Sequence, residues 1–144
     1  MPNRPVSQLV KNQRILTATA TMSVAEAAAG MRGAKVGAIM VVSGQRLVGI
    51  FTERDALYRV VAAGRDPKHT ELGEVMTADP ITIAPDKPFG HALHIMYESG
   101  FRHVPVVEDG RPIGMVSARD ALGPEMEQFE AELHEREHIT EILG

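Results

Sequence analysis

Apolar residues occur along this chain in short, regularly punctuated groups. Leu16–Thr21 (LTATAT) is rich in β-branched residues and predicts a strand. Ser23, with Glu26 three places on, then has the spacing of a capping box, which satisfies orphan N–H groups where a helix begins. That helix places Val24, Ala27, Ala28 and Met31 on one face and is expected to stop at Gly33. Ala38–Val42 and Leu47–Phe51 are apolar runs joined by a turn near Ser43 and Gly44, the pattern of a hairpin. A second helix is expected from about Glu53, running from Asp55 to Ala63 and ending at Gly64, with Asp66 and Pro67 just beyond. The predicted order is strand, helix, strand, strand, helix.

The same order then returns. Ile81–Ile83 predicts a short strand, and Asp86 is expected to cap a helix with Pro88 in its first turn and Phe89, Ala92, Leu93 and Met96 on its apolar face. Gly100 ends that helix, and Val104–Val107 and Pro112–Val116 form a hairpin around EDGR, where Asp109 and Gly110 tolerate positive φ. The likeness extends to identity: GIFTERDAL at Gly49 returns as GMVSARDAL at Gly114, 65 residues later. Thr17/Thr82, Ala27/Ala92, Met31/Met96, Arg46/Arg111 and Asp55/Asp120 keep that offset without a gap. The chain is a duplicated module, with repeats over residues 7–64 and 72–123, a polar linker between them, and an amphipathic helix over 124–144. That helix carries Met126, Phe129 and Leu133, with Ile139, Ile142 and Leu143 further on, as a stripe for packing. The fold class is α/β (α+β), two β-α-β-β-α units packed about a pseudo-two-fold. The apolar helix faces are wider than one unit can cover, so a homodimer is also expected.

Composition narrows the partners. In 144 residues, 19 acidic against 15 basic side chains give a formal charge of -4, without the basic footprint that nucleic-acid binding requires. No stretch approaches the ~20 apolar residues of a membrane span. The absence of cysteine excludes disulfides, thiolate metal sites and a cysteine nucleophile. The expectation is a soluble, cytoplasmic protein with neither a nucleic-acid nor a membrane partner.

Candidate chemistry lies in the repeated motif. Thr52 and Ser117 stand where strand gives way to helix, and Asp55 and Asp120 fall in the first turn beyond. Helix capping and the helix dipole alone account for that pairing. The functional alternative is a carboxylate that accepts both hydroxyls of a ribose diol, as acidic residues do in dinucleotide folds. Arg102 and His103 open a strand where the first repeat has only Gly37 and Ala38, so the second repeat alone offers a phosphate partner; a solvated strand start is the alternative. HEREH at His134–His138 matches the H-E-x-x-H zinc pattern formally, but only ITEILG follows, with Glu141 as the sole further ligand, and the stretch reads as a charged helix face. His91 and His94 likewise read as a solvated helix edge.

GIFTERD and GMVSARD, the VPVV-type strand before each, and the MT-x-x-PITI opening at Met76–Ile83 together resemble a tandem CBS-domain pair, the regulatory Bateman module, over about residues 7–123. The resemblance implies clefts for an adenosine-containing ligand, with Asp120 and Ser117 holding ribose in one and Asp55 and Thr52 in its counterpart. Arg102 and His103 would meet phosphate, and Ile81, Thr82, Ile83 and Val104 would line the adenine slot. Because such clefts are often built from both repeats, the slot residues belong to either one. AMP, ADP, ATP, NAD and S-adenosylmethionine are the implied ligands, bound as regulators rather than as required cofactors. A stand-alone pair would act on an enzyme or transporter in trans. A ligand-free dimerising scaffold is the competing reading. With no GxGxxG, Walker loop or Ser/His/Asp arrangement, no enzyme is expected.

Overall fold

The structure, a computed structural model, describes the backbone of residues 4–121 and 123–143 and the side chains of residues 4–121 and 125–136. Its elements are α1 (Val6–Val10), β1 (Thr17–Ala18), α2 (Val24–Ala34), β2 (Ala38–Ser43), β3 (Arg46–Thr52), α3 (Glu53–Asp55, continuing as π-helix Ala56–Val61), α4 (Leu72–Val75), β4 (Thr77–Ala78), α5 (Phe89–Ser99), β5 (His103–Glu108), β6 (Arg111–Ser117) and α6 (Gly123–Leu143), with a 3₁₀ turn at Ala118–Asp120. Strands β1 to β4 form one sheet in sequence order, and β5 and β6 form a second.

The two halves match in hydrogen bonding as well as in sequence. Parallel pairing of Ala18 with Val41 has its equivalent in the bridge between Ile83 and Val106, and antiparallel pairing of Ala38 with Thr52 has its equivalent in His103 with Ser117. Both hairpins break register at the same point, between Val41 and Val42 and between Val106 and Val107. The motif glycines are fixed by close approach. A Cβ on Gly49 would meet Met76 Sδ at 2.5 Å, and one on Gly114 would meet Val10 Cβ at 2.5 Å, because a leading segment crosses over each strand.

Those leading segments are exchanged. Val6 and Val10 of α1 pack with Phe89, Leu93, Val104 and Val116 of the second repeat, whereas Leu72 and Val75 of α4 pack with Val24, Ile39 and Phe51 of the first. Backbone bonds seal both exchanges: Leu72 N–H donates to Met22 O (2.9 Å) and Gly73 N–H to Ala20 O (2.8 Å), while Val6 N–H donates to Lys87 O (2.8 Å) and Phe89 N–H to Arg4 O (2.7 Å).

Local expectations meet several corrections. Ser23 does cap α2, accepting from Glu26 N–H at 3.1 Å. The helix runs past Gly33, however, and closes at Lys35, whose left-handed backbone (φ 58°) lets the N–H groups of Lys35 and Val36 reach Met31 O. Asp86 caps nothing, because α5 starts at Phe89 behind an extended Pro88 with no side-chain cap. Residues 81–83 contribute one bridge rather than a strand, and Thr77–Ala78 forms the strand there by pairing with β3. Gly100 ends α5 at φ 77°, and Asp109 and Gly110 turn the second hairpin at φ 53° and 81°. Met126 and Phe129 of α6 pack on the second core. The side chains of His138, Ile139, Glu141, Ile142 and Leu143 lie outside the described residues.

Candidate functional site

Two clefts open between the repeats, and His103 lines both. As the first residue of β5, paired opposite Ser117, it takes the place that Ala38 fills opposite Thr52 in the first repeat. Burial holds its imidazole below the usual histidine range; Glu53 and Asp120 act against that shift, while Arg119 and Arg102 add to it.

The first cleft, about 360 Å³, is bounded by Thr52, Glu53, Arg54, Leu57, Tyr58, Gly100, Phe101 and Arg102. Asp55 stands behind this wall. Its carboxylate is 6% exposed, and Oδ2 accepts from Thr52 N–H at 3.1 Å while Thr52 Oγ1 accepts from Asp55 N–H at 3.1 Å. Thr77 Oγ1 donates to it at 3.4 Å, and Arg59 Nε lies 3.7 Å from Oδ1. The carboxylate is thereby committed to holding α3 against β4.

The second cleft, about 130 Å³, is built from both repeats: Arg14, Ile15, Leu16, Val36 and Met40 from the first, Met115, Ser117, Arg119 and Asp120 from the second. Asp120 is exposed. Its Oδ2 accepts from Ser117 N–H at 2.7 Å, and among the described residues Oδ1 receives no hydrogen bond. Ile15, Leu16, Val36 and Met40 give the opposite wall an aliphatic surface suited to the face of a planar base, and the guanidinium groups of Arg14 and Arg119 line the same space.

The ten candidate residues therefore divide. Asp120, Ser117 and His103 come together; Thr52 and Arg102 line the other cleft with His103; Asp55 is turned inward. Ile83 and Val104 are core residues of the second repeat, buried in one cluster with Phe89 and Val116. Ile81 is exposed, and Thr82 faces the hairpin ends beside Arg46, Asp79 and Gly110. Sequence reasoning missed Arg14, Arg54, Arg119, Tyr58 and Phe101. The 65-residue offset already paired Arg54 with Arg119 inside the motif, and it also aligned Arg59 with Pro124 and Thr77 with Asn12. Of these, Thr77 and Arg59 are the partners that the structure gives to Asp55.

His94 is no solvated edge: its Nε2 meets Glu132 Oε2 at 2.5 Å and its ring packs edge-on to Phe129, which ties α5 to α6. His134 is exposed, and among the described residues no three metal-ligating side chains converge. No helix among the described residues is long and apolar enough to cross a membrane.

The CBS domain family matches residues 6–62 and 72–124, and the chain belongs to it as a tandem pair, the regulatory module of that family. The CBS domain-containing protein CBSX3, mitochondrial, of Arabidopsis thaliana is 36% identical over 123 residues, which cover 82% of this chain and 60% of that relative's length. Among solved structures, a CBS-domain containing protein from Agrobacterium tumefaciens is similar at 31% identity and TM-score 0.74, over 81% of this chain and 95% of that one. A CBS domain protein from Pyrobaculum aerophilum complexed with AMP shares the fold at TM-score 0.78 and 22% identity, over 89% and 99% of the two chains.

Proposed function

We propose that this CBS pair is a sensor that binds an adenosine nucleotide in the cleft of Asp120, with the ribose diol on that carboxylate. The observation that carries the reading is the contrast between two carboxylates at identical motif positions. Asp55 is buried with its oxygens engaged, whereas Asp120 is exposed, keeps Oδ1 unbonded among the described residues, and lines a cleft with Arg14, Arg119 and aliphatic side chains. Ribose hydroxyls, a phosphate and a base each find a complementary group there. The AMP bound by the Pyrobaculum protein agrees with this ligand class.

The nucleotide acts as a regulatory ligand, and the module answers to it by acting on a partner rather than by turning over a substrate. A homodimer through α3 belongs to the same reading, because Leu57, Tyr58 and Val61 present adjoining apolar side chains that are 53%, 60% and 69% exposed. Calorimetry with AMP and 2′-deoxy-AMP tests the site. AMP binds, the deoxy ligand binds more weakly, and Asp120→Ala lowers AMP affinity roughly tenfold to a hundredfold, the range for hydrogen bonds to a charged group. Equal affinity for the two ligands overturns the ribose role, and a lack of any nucleotide binding favours the scaffold.

A further inference from the structure

The two clefts are unequal in a way that bears on the length of the ligand. Only one carboxylate is placed to take a ribose, so only one nucleoside is gripped in this manner. Cationic groups, by contrast, occur in both clefts. Arg14 and Arg119 line the cleft of Asp120, and Arg102 lines its neighbour; none of the three has a hydrogen bond or ion pair from its side chain among the described residues. Arg54 also lines the neighbour, where it donates to Gly100 O at 3.4 Å and lies over Tyr58. Its one acidic lining residue, Glu53, packs over Gly37.

The clefts meet at His103. The space beside Asp120 is about 130 Å³ against about 360 Å³ in the cleft of Arg102, so the larger cleft offers the room that further phosphates need. We propose that the preferred ligand is a nucleoside polyphosphate, bound once per chain across both clefts. Its ribose rests on Asp120, its first phosphate beside Arg119 and Arg14, and its outer phosphates pass His103 to reach Arg102. This rests on the adenosine reading above and extends it from a ligand class to a phosphate number.

The test is calorimetry of AMP, ADP and ATP against the wild-type chain, Arg102→Ala and Arg102→Lys. Arg102 is exposed and its side chain is unbonded among the described residues, so neither change removes an internal contact. The wild type binds ATP about tenfold or more tighter than AMP with one site per chain, a gain of the size that one charge-assisted contact supplies. Arg102→Ala removes that gain while leaving AMP affinity within about twofold, and Arg102→Lys keeps part of it as a point charge. Equal affinity for AMP and ATP, two nucleotides per chain, or an equal loss of AMP and ATP binding in Arg102→Ala overturns the spanning ligand and leaves the adenosine site standing. Failure of all three nucleotides to bind overturns both.

Discussion

Gln13 pairs with Met115 as if its side chain were a strand: its Nε2 donates to Met115 O at 2.8 Å and its Oε1 accepts from Met115 N–H at 2.6 Å. In the other half the corresponding edge of β3 is met by real backbone, with Thr77 opposite Ile50. Gln13→Ala leaves both groups of Met115 without protein partners, beside the cleft of Asp120. A loss of about 1–3 kcal/mol is expected in urea unfolding. Gln13→Glu keeps the acceptor and loses the donor, so it falls between wild type and alanine.

The two motif carboxylates separate stability from binding. Asp55→Ala removes a cap and leaves buried Thr52 N–H without its acceptor, at a cost of about 1–3 kcal/mol in unfolding free energy. Asp120→Ala, at an exposed position, changes the unfolding midpoint little and acts on nucleotide affinity instead. The same pair of variants measured by denaturation and by calorimetry checks both halves. A destabilised Asp120→Ala with unaltered binding would reverse the assignment.

Both motif glycines resist a methyl group, but not equally. In Gly49→Ala the nearest obstacle is the flexible Met76 side chain at 2.5 Å, followed by Thr77 O at 3.1 Å. In Gly114→Ala it is the stem of Val10, with Cβ at 2.5 Å and Cγ1 at 2.6 Å, and Gln13 Oε1 at 2.9 Å. Relief there requires α1 to shift as a body. Both substitutions destabilise by the ~1–3 kcal/mol typical of overpacking, and thermal unfolding ranks Gly114→Ala as the worse.

His103 gives stability a defined slope with pH. Its folded pKa lies below 6.5 through burial, so as pH falls through 6.5 the unfolded chain takes up a proton that the folded chain refuses. The contribution of this group is therefore complete above 6.5, declines as pH falls toward the folded pKa, and levels off below it. His103→Ala flattens that part of the stability profile. Nucleotide binding shifts the same equilibrium the other way, because a phosphate beside the imidazole favours its charged form. Nucleotide affinity is therefore expected to rise as pH falls from the pKa of the bound imidazole toward the lowered pKa of the free one, which calorimetry over a pH series checks.

Much of this was legible because duplication wrote the fold twice. The fixed offset located both hairpins and the strand-to-helix junctions of Thr52 and Ser117, though not the register breaks they share. What escaped depended on residues distant in sequence. Glu132 converts His94 from a surface group into a helix-to-helix contact 38 residues away, and Ile15, Leu16, Val36 and Met40 supply the aliphatic wall for a carboxylate in the other repeat. Arg102 and Asp120 share a repeat and a plausible chemistry, yet they line different clefts, since β5 begins at His103 and places the two residues on either side of it. The inward turn of Asp55 depends on Thr77, which lies beyond the first repeat and reaches it only through the exchange of leading segments.

The traded positions of α1 and α4 make the two halves hostages of one another. Residues 6–10 complete the later core, and the segment after the linker completes the earlier one, so neither can be released intact by a cut between them. Denaturation should therefore proceed as one cooperative event, with coincident transitions in the two halves. The same interlock ties residues 4–10 to a cleft wall, because Arg4, paired with Glu125 at 2.6 Å, also donates to the carbonyl of Asp120 at 2.9 Å.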